Sequence, residues 1–295
     1  MPFRIPTRYS AAIALVVLTL IWSFNWIVLK QVLRYASPFD FSALRYVFGT
    51  LVLTLAMVLR RESPKPPPIF QTALIGFAQT AGFQAFVQWA LVSGGAGKTA
   101  LLAYTMPFWV ILFGWPFAEA RPRGSQWLAL ALALVGLLLV LELWRGEASP
   151  LSSVLALGAG AAWGVGVLIF KRIPVRTRDE LLSLATWQMF FGTVPLVVLA
   201  LLVPERPIEW SATLAAALAF NAVGAMAVAT LLWLYILHRL PTTISSLSSL
   251  IVPIVGVLAA WFQLGERPSV AEGAGMALIL AGLALLALPQ RGTQP

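Results

Sequence analysis

The chain has no cysteine and a single histidine, His238. Disulfides, thiolate metal sites and cysteine nucleophiles are excluded, and a histidine-built metal centre cannot be assembled. Charge is also scarce: Asp, Glu, Lys and Arg make up 11% of 295 residues, against roughly 25% in an ordinary soluble domain. None of the 11 acidic residues falls near the centre of a hydrophobic run; Asp40, Glu142 and Glu272 come within about a turn of the ends of such runs. What is abundant is apolar surface: 60% of residues are hydrophobic and the mean hydropathy is +0.87. That leaves too little polar surface to face water. The expected solvent is lipid, which excludes most soluble enzymes and DNA-binding modules.

A helix needs about 20 predominantly apolar residues to cross the hydrocarbon core. Ten segments meet that length: residues 10–30, 39–59, 70–92, 98–118, 125–144, 151–170, 181–203, 211–237, 242–263 and 270–288. Helix-breaking clusters separate them, among them Ser63-Pro64-Lys65-Pro66-Pro67-Pro68 and Pro204-Glu205-Arg206-Pro207. The eighth is too long for a perpendicular crossing and is expected to tilt or overrun the membrane. Arg4 and Arg8 ahead of the first run resemble a secretory leader. The run is too long for one, though, and ends in Trp22-Ser23-Phe24-Asn25-Trp26 rather than a small-residue cleavage site, so retention is expected.

Alternating the loops between two sides gives thirteen Lys and Arg on one and six on the other, with Arg45 inside a span. Positive charge accumulates in cytoplasmic loops, so both termini are expected there. The net charge of +9 reads as this topology signal, and nucleic-acid binding is not expected because no basic face accompanies a stacking platform.

The two halves repeat. Pro107, Pro122 and Gly136 recur as Pro253, Pro268 and Gly282 at an offset of 146. Phe48-Gly49-Thr50 recurs as Phe191-Gly192-Thr193, and Trp22 with Lys30 recurs as Trp163 with Lys171. Residues 1–147 and 148–295 then hold five spans each, and an odd number inverts the second copy relative to the first. The expected fold is an all-α integral membrane bundle, ten helices as two inverted five-helix repeats around a central cavity. Such architecture is typical of secondary transporters, whose solute sits near the midplane between the repeats.

With this duplicated unit, Thr105-Met106-Pro107 is followed by Glu119, Arg121 and Pro122, and Ile251-Val252-Pro253 by Leu264-Gly265-Glu266-Arg267-Pro268. In these features, and in Arg45 on the second span, the chain resembles the drug/metabolite transporter superfamily in its EamA branch, over nearly its whole length. Within that branch it is similar to bacterial exporters of aromatic and other neutral amino acids, and export from the cell across the inner membrane is what the resemblance implies. Small multidrug members of the superfamily use a buried carboxylate to exchange protons. That group has no counterpart here, so the expected mode is facilitated diffusion, or coupling through something other than an intramembrane carboxylate.

Polar groups at membrane depth are the candidates for a site. Arg45 is the one full charge well inside a span, costing about 2.5–3.5 kcal/mol on insertion scales. It either snorkels or hydrogen-bonds a neighbouring helix, or it faces the cavity and attracts a substrate carboxylate; its repeat mate is the neutral Gln188. Lys98 opens the fourth span, where it is a second candidate for carboxylate recruitment. Thr80, Gln84 and Gln88 fall four apart on one helix face, Trp22, Asn25 and Trp26 share an arc of the first helix, and Ser245, Ser248 and Ser249 share a face of the ninth. Each set serves either interhelical hydrogen bonding or a solute-binding cavity. Trp22, Trp163 and Tyr104 complete the expected substrate wall. Pro107 and Pro253 sit mid-span, as fixed kinks or as paired hinges. Gly160 and Gly164 should bring a neighbouring helix close beside Trp163.

Ser93-Gly94-Gly95-Ala96-Gly97-Lys98-Thr99 fails the phosphate-loop spacing, because the first glycine would fall at Val92. No base or nucleophile pair is available for an intramembrane enzyme. No cofactor or metal is implied. The expected partners are a small solute, most of all an amino acid, and the bilayer. A hydrophobic cationic drug or another metabolite, with possible proton coupling, is the alternative cargo. A monomer is favoured, with a dimer as the alternative.

Overall fold

The computed structural model describes residues 7–62, 67–93, 99, 102–117, 124–141, 150–175, 177–203, 206–255, 258 and 269–287. Within them the chain is helical and runs α1 (Thr7–Val32), α2 (Pro38–Leu59), α3 (Ile69–Ile75, Gly76–Gly82 and Phe83–Ser93 in succession), α4 (Met106–Gly114) and α5 (Ser125–Leu141). The second half runs α6 (Pro150–Lys171), α7 (Arg178–Leu202), α8 (Ala212–Phe220, Asn221–Val228 and Ala229–Arg239), α9 (Thr242–Ser248) and α10 (Val270–Ala287).

Local chemistry starts several of these helices. Ser269 and Glu272 form a reciprocal capping box, Ser269 N–H donating to Glu272 Oε2 (2.7 Å) and Glu272 N–H to Ser269 Oγ (3.1 Å). Thr177 accepts from Glu180 N–H at 3.1 Å to open α7, and Ser211 accepts from Leu214 N–H at 3.1 Å to open α8. Pro38 stands in the first turn of α2, where a missing N–H costs nothing. Along the outer faces, large apolar side chains such as Leu20, Leu55 and Leu201 are exposed, as lipid contact requires.

The central segments of α3 and α8, Gly76–Gly82 and Asn221–Val228, are π-helical. Their starting residues lie 145 apart, so the two widened turns occupy equivalent places in the repeats. The pattern of apolar residues gave no sign of them. Widened turns of this kind free backbone positions and recur at functional sites.

The halves interlock reciprocally. α2 packs on α7 and α5 on α10, while α3 packs on α6 as α1 does on α8. Gly49 on α2 lets Met226 of α8 in: a Cβ there would lie 2.6 Å from Met226 Cβ. Its mate Gly192 on α7 receives α3 in the same way, a Cβ there falling 2.7 Å from the Gly76 carbonyl. At the other pair, a Cβ on Gly136 would come within 2.6 Å of the Gly275 carbonyl and one on Gly282 within 2.8 Å of the Ala129 carbonyl. Each contact has its mate under the repeat offset, which is the signature of a pseudo-two-fold axis.

The two prolines differ from expectation. Instead of kinking a continuous helix, each follows a break already made. Thr105 N–H bonds to the Leu102 carbonyl (3.1 Å) and Phe108 N–H to the Thr105 carbonyl (3.0 Å), so α4 restarts at Met106 with Pro107 in its first turn. In α9, Ser249, Leu250 and Val252 N–H groups make the same three-residue turns back to Ser246, Leu247 and Ser249. A helical stretch then spans 251–255 with Pro253 inside it. As expected, Gly160 and Gly164 admit α4 closely: a Cβ on Gly160 would lie 2.7 Å from Thr105 Oγ1, and one on Gly164 would lie 3.1 Å from Trp109 Cβ.

Candidate functional site

A cavity of about 140 Å³ lies between the repeats. Engineered apolar cavities of similar size (~150 Å³) accept a benzene ring. It extends from an aromatic layer near the pseudo-axis to Leu33 and Pro38, where α1 gives way to α2. Its lining includes Trp22, Asn25, Arg45, Thr80, Gln84, Gln88, Tyr104 and Trp163, so eight of the expected site residues converge on one space.

The aromatic layer is centred on Trp163, buried on α6. Its ring packs edge-on against Phe83 (5.0 Å between centroids), Trp22 (5.4 Å), Trp233 (5.5 Å) and Tyr104 (5.9 Å). Contacts of this kind contribute about 0.5–1.5 kcal/mol each beyond the area they bury. Gln79, in the π segment of α3, orders the layer. With its amide carbonyl facing the rings, it accepts from Trp163 Nε1 at 2.6 Å and from Trp233 Nε1 at 2.7 Å. Trp22 Nε1 reaches the Ala225 carbonyl at 3.4 Å. Trp22 is the mate of Trp163, and Ala225 of Gln79, so both indoles address the same position of the two π segments. Gln79 and Trp233 escaped the sequence reading; a glutamine in the middle of an apolar span was the available signal for Gln79.

Above this layer, Arg45 is buried on α2. Its Nη2 donates to Gln84 Oε1 at 2.7 Å and its Nη1 to Asn221 Oδ1 at 3.2 Å. Asn221 begins the π segment of α8 and donates its own amide to the Ala217 carbonyl at 3.1 Å. Gln84 and Gln88 both donate to Ser42 Oγ, Gln84 at 3.0 Å. The cation is therefore held by neutral amides from two helices. Hydrogen bonds to a charged group contribute about 1.5–3 kcal/mol each, enough for two of them to offset an insertion cost of similar size. Both readings of Arg45 meet here: it bonds neighbouring helices and it also lines the cavity. Asn221 and Ser42 were not singled out beforehand, although a lone asparagine inside an apolar 28-residue span marks itself.

Three buried polar atoms in the lining have no hydrogen-bond partner among the described residues: Arg45 Nε, Asn25 Oδ1 and Gln188 Oε1. One is a charged donor and two are neutral acceptors. Among the described residues that line the cavity there is no carboxylate and no lysine.

The serines of α9 do not join the cavity. Ser245 Oγ donates to the Pro241 carbonyl (3.0 Å), Ser248 Oγ to Ile244 (2.8 Å) and Ser249 Oγ to Ser246 (2.7 Å), each satisfied within its own turn. Pro107 and Pro253 border helix breaks and are absent from the lining. Lys98 lies outside the described residues. His238 is exposed at the end of α8.

At the end of the bundle away from Leu33, the Ser10 and Tyr235 hydroxyls lie 2.7 Å apart and tie the start of α1 to the end of α8. Lys171, closing α6, donates to the Leu237 and Leu240 carbonyls and caps the C-terminus of α8. Ser23 Oγ donates to the Val252 carbonyl at 2.9 Å, joining α1 to the helical stretch that follows α9.

Inverted repeats closing on a polar-lined cavity inside an apolar bundle define a multi-pass membrane protein with the fold of a secondary transporter. The model of the EamA-like transporter family matches residues 9–142 and again residues 151–288, and the chain belongs to that family. It is 28% identical over 290 residues to a protein of Escherichia coli (strain K12) named "Probable amino-acid metabolite efflux pump", covering 94% of each chain. It is 24% identical over 277 residues to a Bacillus subtilis (strain 168) protein named "Uncharacterized transporter YoaV", covering 92% of this chain and 94% of that one. A solved structure titled "Crystal structure of protein" superposes with a TM-score of 0.76 at 20% identity, over 94% of this chain and 96% of that one. At that identity the likeness is one of fold.

Proposed function

We propose that this protein is a facilitative carrier, an exporter working by alternating access, that moves aromatic or other neutral amino acids across the bacterial inner membrane. One observation carries the reading: a buried arginine lines a ring-sized cavity, hydrogen-bonded by neutral amides and set over the Tyr46 ring, and its Nε has no hydrogen-bond partner among the described residues. A substrate carboxylate is the complementary group for such a guanidinium, and the tryptophan layer offers its side chain an apolar, planar wall. The name carried by the Escherichia coli relative supports the amino-acid class.

Both termini face the cytoplasm in this proposal, as the excess of Lys and Arg on that side favours. The cavity then opens outward at Leu33 and Pro38, and the Ser10–Tyr235 and Lys171 contacts close the cytoplasmic end. Transport exchanges these contacts for their counterparts across the pseudo-axis. A hydrophobic cation as cargo is disfavoured, because the described lining offers it Arg45 and no counter-ion. Chemistry on the solute is not part of the reading, since nothing in the lining pairs a nucleophile with a base.

Counterflow in proteoliposomes tests the proposal. Vesicles preloaded with unlabelled phenylalanine should transiently accumulate labelled phenylalanine, and the flux should saturate. Flux that rises linearly with concentration and shows no counterflow would indicate a channel and overturn the reading.

A further inference from the structure

The carboxylate reading accounts for one of the three unpartnered atoms and leaves the charge of the site unbalanced. Arg45 remains protonated even when buried, because a guanidinium does not surrender its proton in a protein. Among the described residues it is the only charged one lining the cavity. A bound zwitterion brings no net charge, so the occupied site keeps an uncompensated positive charge at membrane depth. Its ammonium would also lie a few ångströms from the guanidinium, in a medium where like charges repel far more strongly than in water. The two free acceptors, Asn25 Oδ1 and Gln188 Oε1, are neutral amide oxygens. They take a hydrogen bond from a hydroxyl without leaving a charge behind, and they cannot neutralise an ammonium.

We infer that the cavity prefers monocarboxylates bearing a neutral hydrogen-bond donor in place of the α-ammonium, with aromatic 2-hydroxy acids the best-matched class. The carboxylate meets Arg45 Nε, the 2-hydroxyl donates to Asn25 Oδ1, and the ring lies on the layer formed by Trp22, Trp163 and Tyr104. The occupied site is then electrically neutral and its charged donor is satisfied, as burial requires. This inference rests on the carrier reading above and ranks aromatic 2-hydroxy acids ahead of amino acids as cargo of the same site.

Because Trp22, Trp163 and Trp233 lie in the cavity wall, binding can be followed by tryptophan fluorescence on the purified full-length protein. The probes are 3-phenyllactate, phenylalanine, 3-phenylpropionate and phenethylamine. Phenyllactate should bind at least tenfold more tightly than phenylalanine, and phenethylamine should not bind. Arg45→Gln should weaken phenyllactate at least tenfold. Asn25→Leu, which leaves the cation in place, should cost phenyllactate at least fivefold more than it costs phenylpropionate. Phenylalanine binding as tightly as phenyllactate, or more so, would overturn this inference and leave the amino-acid carrier standing. Equal effects of Asn25→Leu on both acids would also overturn it, since the hydroxyl would not be at Asn25. Failure of all four probes to bind would count against the inference and the carrier reading together.

Discussion

The hydroxyls of Thr50 and Thr193 lie 3.0 Å apart. They are the same residue of the two repeats, 143 positions apart in the chain. Equivalent residues can touch only where the symmetry axis passes, so this hydrogen bond marks the axis, with α2 and α7 crossing on it. Trp22 and Trp163, also equivalent, meet at 5.4 Å, which brings the aromatic layer to the same axis. Arg45 and Gln188 each lie five residues before the crossing. Inversion therefore places the cation on one side of the midplane and its neutral mate on the other.

The crossing depends on glycine at two equivalent positions. Replacing either Gly49 or Gly192 by leucine forces side-chain atoms into Met226 or the α3 backbone and should destabilise the protein by about 1–3 kcal/mol or more. The check is a lowered Tm of the detergent-solubilised protein. Gly273→Ala is the comparison, because a Cβ there meets nothing within 4 Å and alanine is the better helix former. Equal Tm values for Gly192→Leu and the unmodified protein would contradict the α2–α7–α3 contact.

Arg45→Gln should preserve the fold, since glutamine already stands at the mate position, and should lower counterflow at least tenfold. That is the scale of one lost charge-assisted hydrogen bond, about 1.5–3 kcal/mol. Arg45→Lys keeps the charge but loses the fork that reaches Gln84 and Asn221 together, so its flux should fall between the two. Unchanged flux in Arg45→Gln would remove Arg45 from the site.

Trp163→Ala should impair flux through loss of the central ring. Trp163→Phe separates packing from hydrogen bonding, because it keeps an aromatic ring but takes one of the two indole donors from Gln79. Flux in Trp163→Phe should drop severalfold, with near-normal Tm. If the phenylalanine variant transports as well as the original, the Gln79 contacts do not shape the cavity.

Lys171→Met leaves the Leu237 and Leu240 carbonyls at the end of α8 without their cap. The bundle end held by Ser10 and Tyr235 should then open more often. With a cysteine placed at the buried Ala14 in a chain that has none of its own, maleimide labelling should accelerate severalfold in the Lys171→Met background. An unchanged rate would show that the cap does not hold that end shut.

Much of this architecture was legible beforehand because lipid imposes a length and a polarity on every span. The repeat offset alone pairs Trp22 with Trp163 and Gly49 with Gly192. The four-residue spacing puts Thr80, Gln84 and Gln88 on one helix face, and all three line the cavity while both glutamines also bond Ser42 of α2. Less could be read where the backbone departs from the regular helix. The π segments leave no periodic trace, and Gln79 and Asn221 take their positions from them. The offset located Pro107 and Pro253 but not the breaks ahead of them. The serines of α9 were misleading for a different reason: a helical hydroxyl can bond back to its own preceding turn, and shared facing does not reveal which partner it takes.

Inversion of the two halves is the premise from which the cavity, the axis and the position of Arg45 all follow. Single cysteines at Glu62, between α2 and α3, and at Glu209, between α7 and α8, probe equivalent loops of the two repeats. Labelled with an impermeant maleimide in intact cells, position 209 should react and position 62 should react only after permeabilisation. Reaction of both from the same side would contradict the inverted arrangement.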